Sequence, residues 1–204
     1  MKKCIIIDAA IICFMLVAQS CSSMLQASKY VVNLSSVESP ENAKIQFGET
    51  KVVSFNEGNQ QKYRYEDDYI NIVWYVGHKN FDFSLTNKTD HTIKINWDDI
   101  SYVDITGNVG RVMHSGVKYI DKNNSQPATS IPRKASITDI LLPTDNVHWG
   151  SSDWVIRPLI PYEYDRGGAE GKTMSILMPI MIENVQNDYT FEFVINAKPQ
   201  ETQK

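Results

Sequence analysis

The sequence predicts an all-β protein, an antiparallel β-sandwich of about nine strands behind an exported N-terminus. Three observations carry this expectation. Apolar side chains recur at every second position through much of the chain. Turn-forming Asn, Asp and Gly residues separate those runs. No window of about 12 residues shows an apolar stripe of helical period with caps, so almost no helix is expected. At 204 residues the chain suffices for one sizeable domain with its own core. Its 42% hydrophobic and 22% charged composition is that of an ordinary globular protein.

The chain opens with Lys2 and Lys3, continues through a mostly apolar run from Ile5 to Ala18, and reaches a cysteine in AQSCSS. That is the layout of a secretory signal peptide over residues 1–20, with Asp8 as a charge that weakens the run. The uninterrupted apolar part, Ala9 to Ala18, is ten residues. A membrane-spanning helix needs about 20. All three cysteines, Cys4, Cys13 and Cys21, lie in this region, so the domain that follows must rest on its core without disulfides.

The stretch LVAQSC resembles the lipobox of bacterial lipoproteins, in the looser form familiar in the Bacteroidetes. The resemblance implies a cut after Ala18, Gln19 and Ser20, with diacylglycerol on the Cys21 sulfur and an acyl chain on its amino group. An ordinary cleaved signal with an incidental cysteine, or an uncleaved apolar tail, is the alternative. Each buried acyl methylene contributes about 0.8 kcal/mol, so several chains would hold the protein in membrane lipid permanently. The residues after Cys21, SSMLQAS, lack the acidic run that resembles a surface-export signal, so the expected location is the outer membrane, facing the periplasm. Of 20 basic and 24 acidic side chains, cleavage removes Lys2, Lys3 and Asp8, leaving 18 and 23 and a net charge of −5 in place of −4. Nothing in that balance favours a nucleic-acid partner.

Residues 21–40 read mainly as a Ser-rich tether, with KYVVNL at Lys29 to Leu34 able to form a short strand. The sandwich is expected over 41–199 and a C-terminal tail over 200–204. Ile70, Ile72, Trp74 and Val76 share one strand face, as do Phe81, Phe83 and Leu85. The turn NKTDHT then leads to Ile93, Ile95 and Trp97, which makes a hairpin. Further strands are expected at Ser101 to Thr106, Arg111 to Ile120, Ser136 to Leu142, Trp154 to Ile156 and Met174 to Ile182. In the last, Tyr189 to Ala197, the side chains of Tyr189, Phe191, Phe193 and Ile195 share one face.

The run from Phe81 to Val112, FDFSLTNKTDHTIKINWDDISYVDITGNVGRV, resembles the immunoglobulin-like modules of small bacterial lipoproteins, including the FxLYD-like group. The corresponding residues here are Asn87, Trp97, Asp104 and Gly107. Tyr102, Val103 and Asp104 stand where that group carries an adjacent tyrosine and aspartate. The resemblance covers about a fifth of the chain and implies an immunoglobulin-like fold in a binding or assembly role without chemistry.

Candidate chemistry is sparse. DRGGAEGKTMS carries Gly, Lys and Thr, but a phosphate-binding loop needs a glycine five residues before Gly171, where Arg166 stands. It also needs a helix behind Lys172, and Pro179 lies seven residues on. No nucleotide and no cofactor is therefore expected, and Lys172 is left in solvent. His78, His91, His114 and His148 are scattered singly, with no metal-ligand spacing, and read as surface or turn histidines. Glu66, Asp67 and Asp68, like Asp98 and Asp99, are sequence neighbours that would point to opposite faces of a strand, so they read as solvated turn charge. A carboxylate-dependent hydrolase is the enzymatic alternative. The segment 143–172 is about 30 residues, long for a sandwich connection, and holds Trp149, Trp154, Tyr162 and Tyr164. These aromatics either cap the core or offer a surface for an envelope protein or a glycan.

Overall fold

The computed structural model describes residues 30–38 and 51–198. The signal peptide, Cys21 and the tail 200–204 lie outside the described residues. The protein is all-β and antiparallel. The expected nine strands are fourteen among the described residues, and twelve of them belong to one sheet rather than to two separate layers.

In chain order the strands are β1 (Tyr30–Glu38), β2 (Lys51–Glu57), β3 (Gln60–Glu66), β4 (Ile70–Val76), β5 (Phe81–Asn87), β6 (Ile93–Ile95), β7 (Ser101–Val103), β8 (Val109–Met113), β9 (Thr129–Ile131), β10 (Ser136–Pro143), β11 (Val147–Trp149), β12 (Trp154–Ile156), β13 (Thr173–Ile182) and β14 (Val185–Ala197). The sheet runs β1-β14-β13-β7-β8-β10-β5-β4-β3-β2, with β6 and β9 continuing from β13. It is nearly closed: the Tyr63 hydroxyl on β3, next to the last strand, donates to Asn33 Oδ1 on β1, the first, at 2.7 Å. Wrapping of this kind shields edges that would otherwise template pairing with another chain.

The tether expected over 21–40 is a strand over Tyr30–Glu38, laddered to β14 from Tyr30↔Ala197 to Glu38↔Thr190. Its polar half hid it, because Ser35 bulges out between Leu34 and Ser36 and breaks the alternation. The expected strand Arg111 to Ile120 ends at Met113, and the chain then runs irregularly into a 3-10 turn at Tyr119–Asp121. Pro179 sits inside β13 without harm. The strand pairs with β7 through Ser175 to Leu177 and with β6 through Ile180 to Ile182, so Pro179 falls in the gap between those neighbours.

The core forms where the β3-β4-β5 part of the wrapped sheet faces β13 and β14. Alternation is complete in β5, whose Phe81, Phe83 and Leu85 are buried. Trp74 lies at the centre, its ring 5.3 Å from Phe83, 5.0 Å from Phe191 and 5.7 Å from Phe193. Each such ring contributes about 1.5–3 kcal/mol through burial, which is how the domain stands without disulfides. Asn87, buried and polar, is satisfied by donating to the carbonyls of His91, Ile131 and Pro132.

Candidate functional site

A second, smaller apolar cluster of Met113, Leu142 and Val147 lies beside the main core. Above it the chain opens a groove of about 560 Å³, within the range of small-ligand sites. Three pieces build it. The end of β10 supplies Ile140 and Leu142, the loop after β8 supplies His114 to Ile120, and β12 supplies Trp154. Tyr119 and Trp154 stand 5.9 Å apart along it, and Ile120 at its rim is 77% exposed. Lys122 pins the loop by donating from Nζ to the carbonyls of Thr144 and Val147.

The polar end of the groove is His114. It is not the surface or turn histidine expected from the sequence. Its ring stacks on buried Trp97 with centroids 4.0 Å apart and planes at 5°, and Nδ1 lies 3.2 Å from Asp139 Oδ2. Asp139 Oδ1 accepts from the backbone N–H of Ser115 at 2.8 Å and of Ile140 at 2.7 Å. Asp139 is laddered opposite Phe83, so the pair occupies a core-facing register at the margin of the apolar interior. A carboxylate on Nδ1 orients the ring and leaves Nε2 as its other hydrogen-bonding atom. Among the described residues the ring hydrogen bond of His114 is to Asp139.

The four aromatics of 143–172 part company. The segment is no plain loop: β11 and β12 form a hairpin outside the main sheet, with Trp149 opposite Trp154 and their rings nearly perpendicular at 5.5 Å. Trp154 is half-buried on the small cluster, whereas Trp149 is 60% exposed. Tyr162 is exposed, its ring 6.5 Å from that of His78. Tyr164 packs against the main core and its carbonyl accepts from the Tyr30 hydroxyl at 2.8 Å.

The glycine-rich stretch DRGGAEGKTMS leads into strand β13 and not into a helix. Gly167, Gly168 and Gly171 take positive φ of 115°, 92° and 78°, folding the chain back so that the Gly171 N–H reaches the Ile195 carbonyl at 2.8 Å. Lys172, expected in solvent, is half-buried with its ammonium 5.7 Å over the Tyr164 ring.

The acidic neighbours are not all solvated. Asp67 is buried: Oδ2 accepts from the Tyr65 and Tyr189 hydroxyls at 3.1 and 3.0 Å, and Oδ1 from the N–H groups of Tyr69 and Ile70 at 2.8 and 2.7 Å. Glu66 pairs with Lys88 at 2.8 Å, and Asp68 is exposed. Asp98 latches the loop: the Ser125 hydroxyl, the Gln126 N–H and Arg111 all donate to it and together hold its carboxyl below the usual range. Asp99 is exposed. His91 pairs with Glu183 at 2.6 Å, His78 is exposed and His148 is half-buried. Among the described residues no three His, Cys, Asp or Glu side chains group as a metal site.

No family model and no curated protein matches the chain. An X-ray structure of Northeast Structural Genomics Consortium target SoR45 aligns over 86% of this chain and 92% of its own, at 11% identity and a TM-score of 0.29. A likeness that distant carries no argument about fold or function.

Proposed function

We propose that this is a lipid-anchored protein of the bacterial envelope that binds a partner without catalysis, through the groove between the 114–120 loop, the end of β10 and Trp154. Its anchor is Cys21, its membrane the outer one, and its immunoglobulin-like kinship the one suggested by Phe81 to Val112. The observation that carries the binding reading is the groove's make-up. An apolar floor, two aromatic rings and one oriented His–Asp pair supply contact area and direction for a bound partner.

Ile120 is the place to test it, because a side chain 77% exposed can be changed without disturbing the fold. When the lipidated protein is pulled down from its own envelope, Ile120→Asp weakens capture of the partner about tenfold or more. Met181→Ala, on β13 away from the groove, leaves capture unchanged. Equal recovery with both variants would remove the groove from the account.

A glycan is the second reading, favoured by the Trp154 ring beside a polar histidine. Under it, retention on a polysaccharide column is lost in Trp154→Ala. Because that ring also packs on Tyr119 and the small cluster, the substitution costs about 1–3 kcal/mol of stability as well.

A further inference from the structure

Trp149 and Tyr162 are left 60% and 64% exposed by a fold that buries most of its aromatics. Tyr162 and the base of the hairpin that carries Trp149 lie at one end of the wrapped sheet. Tyr162 opens the short turn whose Tyr164 carbonyl is bonded by the Tyr30 hydroxyl. Upstream, the Leu159 N–H donates to the His78 carbonyl at 2.9 Å and the Arg157 N–H to the Asn146 carbonyl at 2.8 Å, at the base of the β11-β12 hairpin. The ladders agree, since the start of β1 pairs with the end of β14 and the start of β5 with the end of β10.

The chain from Cys21 enters at this same end. Nine residues carry it from Cys21 to Tyr30, a reach of at most about 30 Å when fully extended. The opposite end, with Asp67 and the Glu183–Asn184 turn, faces away from that entry point. Tryptophan and tyrosine are the side chains favoured at headgroup depth, where an apolar ring and a polar tip are both accommodated. Lys79, Arg157 and Lys172 share this end with Asp153, Glu163 and Glu170, so it carries both signs and needs no anionic lipid.

We propose that the end of the domain bearing Trp149 and Tyr162 rests on the phospholipid surface in which Cys21 is anchored. The inference depends on the anchor reading above. Docking fixes the domain's orientation on the bilayer and immerses Trp149 at headgroup depth.

The test uses the lipidated full-length product in phosphatidylcholine vesicles with brominated acyl chains, reading tryptophan emission. Trp74 and Trp97 are buried in the core and Trp154 is half-buried, so lipid quenching reports mainly on Trp149. Brominated lipid is expected to quench the wild type, most of that quenching is lost in Trp149→Phe, and Trp154→Phe keeps it. Salt leaves the result unchanged. Wild-type protein that floats with the vesicles yet is quenched no more than Trp149→Phe would overturn docking while sparing the anchor. Emission that responds to a polysaccharide instead of to brominated lipid would overturn it in favour of a glycan surface. Protein that fails to float overturns the anchor and docking with it.

Discussion

At Asp67 a single buried carboxylate answers four donors, two tyrosine hydroxyls and two backbone N–H groups, and so closes one end of the core. Removing it takes their shared acceptor from all four. Asp67→Ala is therefore expected to cost about 3 kcal/mol or more, read from the urea unfolding midpoint, and a loss under about 1 kcal/mol would contradict this account. The same interior governs alkaline behaviour. Burial pushes the Tyr63 phenol from 10.0 up to about 12, and burial, with Asp67 beside it, pushes Tyr189 higher still. The fold holds these phenols neutral, so their contribution is complete below pH 10 and is lost as pH rises from there through about 12. Tyrosinate absorbance of Tyr189 should appear only together with loss of the far-UV signal. None of this was legible in EDDY at Glu66 to Tyr69, because a satisfied buried aspartate and a solvated turn aspartate look alike in sequence. His114 was hidden in the same way: its partners Trp97 and Asp139 lie 17 and 25 positions away and meet only through the sheet.

The elements with clean alternation were readable, and those without it were not. Phe81 to Asn87 and Tyr189 to Ile195 bury every second residue, whereas β2 and β3 carry KVVSFNE and QQKYRYE, too polar to announce a strand without knowledge of their pairing. The β11-β12 hairpin was half legible, since Trp154 to Ile156 reads as a strand but its three-residue mate does not. Its turn depends on Gly150. A Cβ there would stand 2.9 Å from Val155 Cγ2 and 3.1 Å from the Asp153 carbonyl. Gly150→Ala is expected to cost about 1–2 kcal/mol locally and to separate Trp149 from Trp154, seen as a change in near-UV dichroism. Because the hairpin lies outside the twelve-stranded sheet, the far-UV spectrum should be kept. Its loss would mean that the hairpin is integral to the sheet.

On the scale of the whole molecule, the periodicity of the sequence identifies an antiparallel all-β protein and miscounts its strands. Nine expected strands become fourteen because β1, β2 and β3 are too polar for alternation to register, and β9 and β11 have only three residues each. That twelve of them wrap as one sheet depends on β10, which pairs with β5 through Leu141 and passes to β8 at Leu142 and Pro143, a change of neighbour that leaves no mark on composition. The groove was invisible for the same reason, since β10, the 114–120 loop and Trp154 converge only once the sheet is wound. The role proposed for the assembled domain needs it to be held at a membrane, and that rests on Cys21. The intact mass of the protein purified from the membranes of its producing bacterium, beside a Cys21→Ala variant, tests this most directly. The account predicts a chain beginning at Cys21 with diacylglycerol and an added acyl chain, both lost in the variant. A mature chain with a free Cys21 thiol, or one that begins elsewhere, would contradict it.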